Sequence, residues 1–411
     1  MIKNPLQHRK LPDLIFWCSF FLLLVIHCVE NTTLTFSQPA WLKGMYLLRN
    51  LLYLVLLGKI CFLSRYTAGT LWAMLGIFLC AAISFLLTDD FTLLEFALIV
   101  FAAGDIPSRK LIWLVVIVKA IAIVMTLLCS DLRLLPKLYY IHHDTPLDTL
   151  GFCHRNVLGS NMAMLCLCWL YLRYCKLNWL DILGCLTLTV ITYFLAISRS
   201  SLIIMLLSIA VFFLCRCFCR PIKNFRFSGK ILHAFFGCMI LFSVVGTIFF
   251  SKDAALWRLL DKLLTNRLSF AHHCFDQHGF TLFGQQMPFS GTMDAILNQQ
   301  SRLILDNAYM RLLIFHGLIP GGLFLALYWV CLHRSWKRRN LPMTAGLLIF
   351  AFYGLSERFM LDAFYCFPMV MVSIEMLRQP TTAQTYTPVD YTIRTLRPLI
   401  GWVRGLAGGK Q

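Results

Sequence analysis

Acidic residues are scarce in this chain. Only 19 Asp and Glu stand against 37 Lys and Arg in 411 residues, and charged residues of both signs make up 14%. A soluble fold of this length needs far more charge to cover its surface, so an ordinary soluble domain is excluded. No CxxC pair occurs among the 17 cysteines, which argues against a zinc ribbon or a disulfide framework. Most of them (Cys80, Cys129, Cys166, Cys168 and Cys185 among them) lie inside apolar runs, where a thiol behaves as a small hydrophobe. Neither a P-loop nor a GxGxxG pattern is present, so no nucleotide site is expected. Long polar intervals are also lacking, with one exception at residues 251–306.

What the chain has is apolar length. Hydrophobic residues make up 59% and the mean hydropathy is +0.72. The expected fold is all-α: a polytopic integral membrane protein of about twelve transmembrane helices with one long extracytoplasmic loop, each span needing ~20 apolar residues. The expected spans are 14–29, 46–63, 68–88, 91–104, 110–129, 157–174, 178–197, 200–218, 231–250, 307–331, 343–356 and 361–377. Spans 91–104 and 343–356 are the shortest. The basic N-terminus MIKNPLQHRKLPD precedes 14–29 without a small-x-small cleavage pattern, so an uncleaved first helix is expected.

The basic residues test this layout. With a cytoplasmic N-terminus, the inward segments collect Lys3, Arg9 and Lys10; Lys59 and Arg65; Arg109 and Lys110; Arg173 and Lys176; Arg216 to Lys230; and Arg334 to Arg339. That is the positive-inside pattern, and it places both termini in the cytoplasm. The net charge of +18 therefore points to anionic membrane lipids as partners, not to nucleic acid. Residues 1–378 form the expected membrane domain, with 251–306 outside. Residues 379–411 form a cytoplasmic basic tail, Thr/Pro-rich at first and then basic around Trp402.

Four polar features fall on the outward face: the 130–156 loop, the turn at Arg199, the 251–306 loop and the turn at Glu357. An arginine so close to the bilayer as Arg199 either marks a site or snorkels to the interface. Arg267, in the amphipathic stretch ALWRLLDKLLTNRLSF, is either a solvated helix face or, paired with Arg199, a fork for phosphate oxygens. Asp306 and Asn307 meet the next span, where Asn307 suits a helix cap and Asp306 a base that takes a proton from a hydroxyl. His316 lies ten residues on, ~15 Å deeper at helical rise, a weaker base. Glu357 either pairs with Arg358 or orients substrate or an arginine. The group His272, His273, Cys274, Asp276 and His278 matches no familiar zinc spacing, so no metal site is expected.

Several of these stretches together resemble one family. LGFCHRNVLG (150–159) resembles the G-F-S-H-P-N motif of Wzy-type capsular and exopolysaccharide polymerases, relatives of the O-antigen ligases. AISRSSL (196–202), LFGQ (282–285), LDNAYMRLLIFHG (305–317) and GLSERFMLDAFYCFP (354–368) resemble further segments of those proteins, in order. The motif proline is Arg155 here, and the long loop is short for the superfamily. The resemblance implies a metal-independent, inverting glycosyltransferase of the bacterial cytoplasmic membrane, without cofactor. It would transfer a growing glycan from undecaprenyl diphosphate to a lipid-linked repeat unit. Carried over, Arg199 and Arg267 would hold the diphosphate, and Asp306 would act as base. His154, Asn156, Asn307, His316 and Glu357 would line the substrate. Partners would be the undecaprenyl-diphosphate-linked oligosaccharides, with flippase and chain-length regulator proteins. Two other readings fit the composition: a lipid-linked oligosaccharide flippase, which should place charges near the midplane of several helices, and ligase-type transfer to another acceptor. Lys119 is the clearest midspan charge.

Overall fold

The computed structural model describes residues 10–37, 40–104, 106–142, 145–218, 228–289, 303–377, 384–393 and 395. Lys3, Arg9, Arg220, Lys223, Arg226, Arg378, Arg394, Arg397, Trp402, Arg404, Lys410 and the stretch 290–302 lie outside them.

Apolar runs become helices because a helix satisfies every backbone N–H and C=O within itself, the requirement in lipid. Among the described residues, eight helices are long and apolar enough to cross a membrane: Leu11–Glu30, Ala40–Leu63, Ala68–Thr88, Ser108–Asp131, Trp179–Ala196, Arg199–Cys217, Gly229–Ile248 and Leu318–Lys337. The chain is thus an all-α membrane protein. Three further apolar helices are short: Thr92–Ala102, Leu341–Tyr353 and Phe367–Leu377. A fourth, Arg155–Arg173, is 19 residues long and buried on most sides. It packs against Trp179–Ala196, Arg199–Cys217 and Ser108–Asp131. Because protein surrounds it, its first turns can carry Asn156, Ser160 and Asn161 where a lipid-facing helix could not.

The same logic explains Lys119, which is buried in Ser108–Asp131. Its Nζ donates to Asn161 Oδ1 at 2.9 Å and sits 3.5 Å over the Tyr365 ring. A hydrogen bond and a cation–π contact together offset part of the desolvation cost. Lys59, assigned above to an inward basic cluster, is buried too; its ammonium donates to the Ala102 carbonyl and to Ser64 Oγ.

Several elements differ from the sequence expectation. The 307–331 span is not continuous. Ala308–Phe315 forms two turns, the second widened so that His316 N bonds Arg311 O at 3.2 Å. The chain then breaks at Gly317 (φ +96°), and a new helix runs over Leu318–Lys337. Segment 281–285 fills the break: Leu318 N and Ile319 N donate to the Thr281 and Leu282 carbonyls at 2.8 and 2.9 Å. The stretch 255–278 is likewise two helices, Ala255–Leu263 and Arg267–His278, divided by Thr265 and Asn266 in left-handed conformation. The 130–156 loop holds a hairpin pairing Tyr139–His142 with Thr145–Asp148. Part of the expected linker is docked: Tyr386 pairs with Tyr66 through two 2.9 Å backbone hydrogen bonds.

Gly317 provides a test of the broken helix. A Cβ there would run into the backbone of Phe283 and Gly284, and its φ is one that L side chains rarely adopt. Gly317→Ala is expected to destabilise the protein by at least ~1–3 kcal/mol, the usual cost of a strained φ. Gly322→Ala, in the same helix with nothing within 4 Å of the added methyl, should leave thermal stability in detergent unchanged or slightly higher. Equal melting of the two variants would contradict the break.

Candidate functional site

Arg267 is where separate parts of the chain meet. Its position is set locally. Asp261 Oδ1 accepts from Leu268 N and Ser269 N, both at 3.0 Å, and so caps the helix that Arg267 begins. The guanidinium, 11% exposed, forms ion pairs with Asp306 Oδ2 through Nη1 and with Glu357 Oε1 through Nη2, the latter at 3.2 Å. Glu357, 4% exposed, also accepts from Ser200 Oγ at 2.9 Å. The Nε of Arg267 is buried without a partner among the described residues.

Backbone and hydroxyl contacts hold the surrounding frame. Ala308 N donates to the Gly354 carbonyl at 2.8 Å, tying the Asp306 junction to the Glu357 turn. Tyr353 OH lies 2.7 Å from Ser160 Oγ, which itself donates to the Asn156 carbonyl. Gly159 lets this helix close on its neighbour: an added Cβ would come within 2.6 Å of Ser201 Oγ. The first turns of Arg155–Arg173 and Arg199–Cys217 therefore share one end of the bundle with Arg267, Asp306 and Glu357.

The residues singled out by sequence take these places. Asp306 faces Arg267, its carboxylate 22% exposed; Oδ1 has no partner among the described residues. Asn307 is a cap: Oδ1 accepts from Met310 N and Nδ2 donates to Ser243 Oγ, both at 3.1 Å. Glu357 pairs with Arg267 and not with its neighbour Arg358, which is exposed. Arg199 is exposed beside the Ser200–Glu357 bond and has no ion-pair partner among the described residues. His154 caps its helix through Nδ1 to Asn156 N at 3.1 Å and packs on the Tyr140 ring. Asn156 is half-buried in the following turn. Arg155, in the place of the motif proline, is buried and donates to the Asp148 carbonyl at 2.6 Å, anchoring the hairpin.

His316 is wholly enclosed, its Nδ1 3.4 Å from Ser84 Oγ and its Nε2 without a partner. Its burial separates it from any substrate hydroxyl at the Arg267 cluster. His272 lies on the surface helix, with Nδ1 2.8 Å from the Thr247 carbonyl and Nε2 3.2 Å from Asp276.

Sequence reasoning missed Arg311 and Asp90. Arg311 is buried beneath the Phe289 and Phe315 rings, 4.5 and 5.0 Å away, and pairs with Asp90 at 3.1 Å. Burial alone would raise the Asp90 carboxyl; Arg311 and the Thr92 hydrogen bonds outweigh it and hold it at about 2. The signal available was a lone arginine inside the apolar run AYMRLLIF.

One guanidinium against two carboxylates leaves the cluster with net negative charge. Arg267→Met would strand Asp306 and Glu357, costing on the order of 3 kcal/mol, as for other pairs shielded from water. Adding Glu357→Gln to that variant should recover part of the loss, because one stranded charge is gone. Thermal unfolding of single and double variants in detergent measures this; strict additivity would mean that the pair is not coupled. Comparison with protein-family models, with curated proteins and with solved structures found no match.

Proposed function

We propose that the chain is a polysaccharide polymerase of the bacterial cytoplasmic membrane, with about twelve spans, both termini cytoplasmic and residues 251–306 outside. The observation that carries this reading is the convergence of Arg267, Asp306, Glu357 and Ser200 from four separate segments at one end of the bundle. Three of those segments, 196–202, 305–317 and 354–368, are among the stretches that resemble Wzy-type polymerases.

The chemistry asked of such a site is modest. An acceptor hydroxyl attacks the anomeric carbon of the donor glycan, the bond from that carbon to the diphosphate oxygen breaks, and the hydroxyl proton passes to a base. Undecaprenyl diphosphate leaves with the bonding electron pair. Asp306 is the base in this proposal: its Oδ1 has no partner among the described residues, and Arg267 fixes the other oxygen. Arg267 is already shared by two carboxylates, so its part is to orient Asp306 and Glu357. The diphosphate falls to Arg199, exposed next to Ser200 and without an ion-pair partner among the described residues, with Arg358 beside Glu357 as a second cation. His154, Asn156 and Asn307 hold the helix ends that frame the substrate, and no metal or cofactor takes part.

The flippase reading is favoured by one specific observation: ionisable residues shielded from water lie on several helices, at Glu95, Lys119 and Arg311. Deleting the gene separates the two. Loss of a polymerase leaves single lipid-linked repeat units on the outer leaflet; loss of a flippase leaves them on the inner leaflet, out of reach of added glycosidase.

Asp306→Asn keeps the side-chain shape but cannot take up a proton, so glycan chains in complemented cells should collapse to single repeats at normal protein level. Arg199→Lys lacks the two-pronged fork and should lower the rate by about 10²–10³, as for other lost charge-stabilising contacts. Wild-type chain length from Asp306→Asn would remove it as the base.

A further inference from the structure

An apolar groove of about 310 Å³ lies between the helices Ala68–Thr88, Thr92–Ala102, Leu318–Lys337 and Phe367–Leu377. Phe96 and Ala97, both buried, form its floor. Ala73 and Leu323 stand on its two sides and are exposed, so the groove opens on the outside of the bundle, where lipid runs along spanning helices. From Pro320 to Arg334 it follows fourteen residues of one helix, ~21 Å at helical rise, which exceeds the ~15 Å hydrocarbon depth of one leaflet.

The groove has one polar end. Ser84 Oγ donates to the His316 carbonyl at 3.2 Å, which joins the end of Ala68–Thr88 to the start of Leu318–Lys337. The two helices therefore run in opposite directions, and Gly69 and Thr70 lie at the same end as Arg334. Ser373 belongs there too, 3.6 Å from Cys331 Sγ. This end is remote from the Arg267 cluster: Gly229–Ile248 meets Leu268 at its Gly246 end and His333 at its His233 end.

Charge at the polar end is uncompensated. Arg338 is taken by Glu375 at 3.5 Å, but Arg334 is exposed and has no ion-pair partner among the described residues. Lys337, three residues on, is its neighbour on the helix surface and is exposed as well. The first turn of Ala68–Thr88, at Gly69, adds the positive end of a helix dipole. A long apolar slot open to lipid, with an uncommitted guanidinium at one end, suits a molecule with one anionic head and a long chain. A neutral lipid would cover the slot and leave the guanidinium without a counter-charge.

We propose that this groove holds an anionic glycerophospholipid from the leaflet at the Arg334 end. Its phosphate lies on Arg334 and Lys337, and one acyl chain follows Ala73, Phe96 and Leu323. The site is independent of both the polymerase and the flippase reading, because it involves no glycan and none of the Arg267 cluster. A lipid seated there ties Ala68–Thr88 to the helix that follows the break at Gly317.

The test uses the purified full-length protein in phosphatidylcholine nanodiscs. The probe is phosphatidylglycerol with a photoactivatable diazirine on one acyl chain, and adducts are located by peptide mass spectrometry. Labelling is expected within 69–101 and 320–334, about tenfold above that from a phosphatidylcholine probe with the same chain, as for one charge-assisted contact. Arg334→Gln should remove that excess. Ala73→Phe, which fills the slot from an exposed position, should lower labelling by the phosphatidylglycerol probe there to the same extent. Monodisperse elution checks each fold, and if one variant does not fold the other carries the comparison. Equal labelling by the two headgroups, or an excess unchanged in the folded variants, would overturn the site. So would displacement of the probe by undecaprenyl phosphate but not by unlabelled phosphatidylglycerol, which would make the groove an isoprenoid site.

Discussion

The Arg267 guanidinium, held between Asp306 and Glu357, is the contact on which the arrangement of this end of the bundle depends. Its two partners come from segments 39 and 90 residues further along the chain, and the second of them, Glu357, also accepts from Ser200. An apolar contact could bring these segments near one another. Only a planar, forked donor fixes two carboxylates in a defined mutual orientation. Shielded ion pairs of this kind contribute little to net stability, since desolvation consumes most of the Coulomb gain. Their effect is on specificity: other packings of the same segments would bury an unpaired charge. Asp261 extends this control back along the chain, because its carboxylate caps the helix that presents Arg267.

Most of the helical frame was legible in the sequence, for a physical reason. Runs of about 20 apolar residues have few alternatives to a membrane helix. The break at Gly317 was not legible in hydropathy, because LLIFHGLIPGG stays apolar across it. Gly317 and Pro320 were the local signs, a residue free to take positive φ and one suited to a helix's first turn. Arg155–Arg173 shows the opposite case: its Asn and Ser residues weaken the apolar signal, yet it is the most enclosed long helix.

The site divides in the same way. Arg267, Asp306, Asn307 and Glu357 stood out because they occupy polar turns, where a charged residue draws notice. Arg49, Glu95 and Arg311 did not, because each is a single ionisable residue inside an apolar run and its partner lies on a distant segment. Tyr53, the partner of Glu95, is 42 residues away; Asp90, the partner of Arg311, is 221. Periodicity carries no trace of such pairings. The expected Glu357–Arg358 pair failed for a local reason: Glu357 is extended and Arg358 begins a short helical turn, so the two side chains diverge.

The distribution of free positive charge follows from these pairings. Arg49, Arg267 and Arg311 are each committed to carboxylates, whereas Arg199 and Arg358 are exposed on either side of the Ser200–Glu357 bond. A dianionic group approaching this end meets a net negative cluster at Arg267, with uncommitted guanidinium groups near its edge. Attraction therefore acts at the rim, and the acidic centre repels. For a substrate with a charged diphosphate at one end of the reacting bond and a neutral hydroxyl on the other partner, that separation has a consequence. In the polymerase proposed above, the diphosphate would be held away from Asp306 and the carboxylate left to the hydroxyl. The same negative centre that would weaken binding of an anion at Arg267 thus gives the two reactants different places to stand.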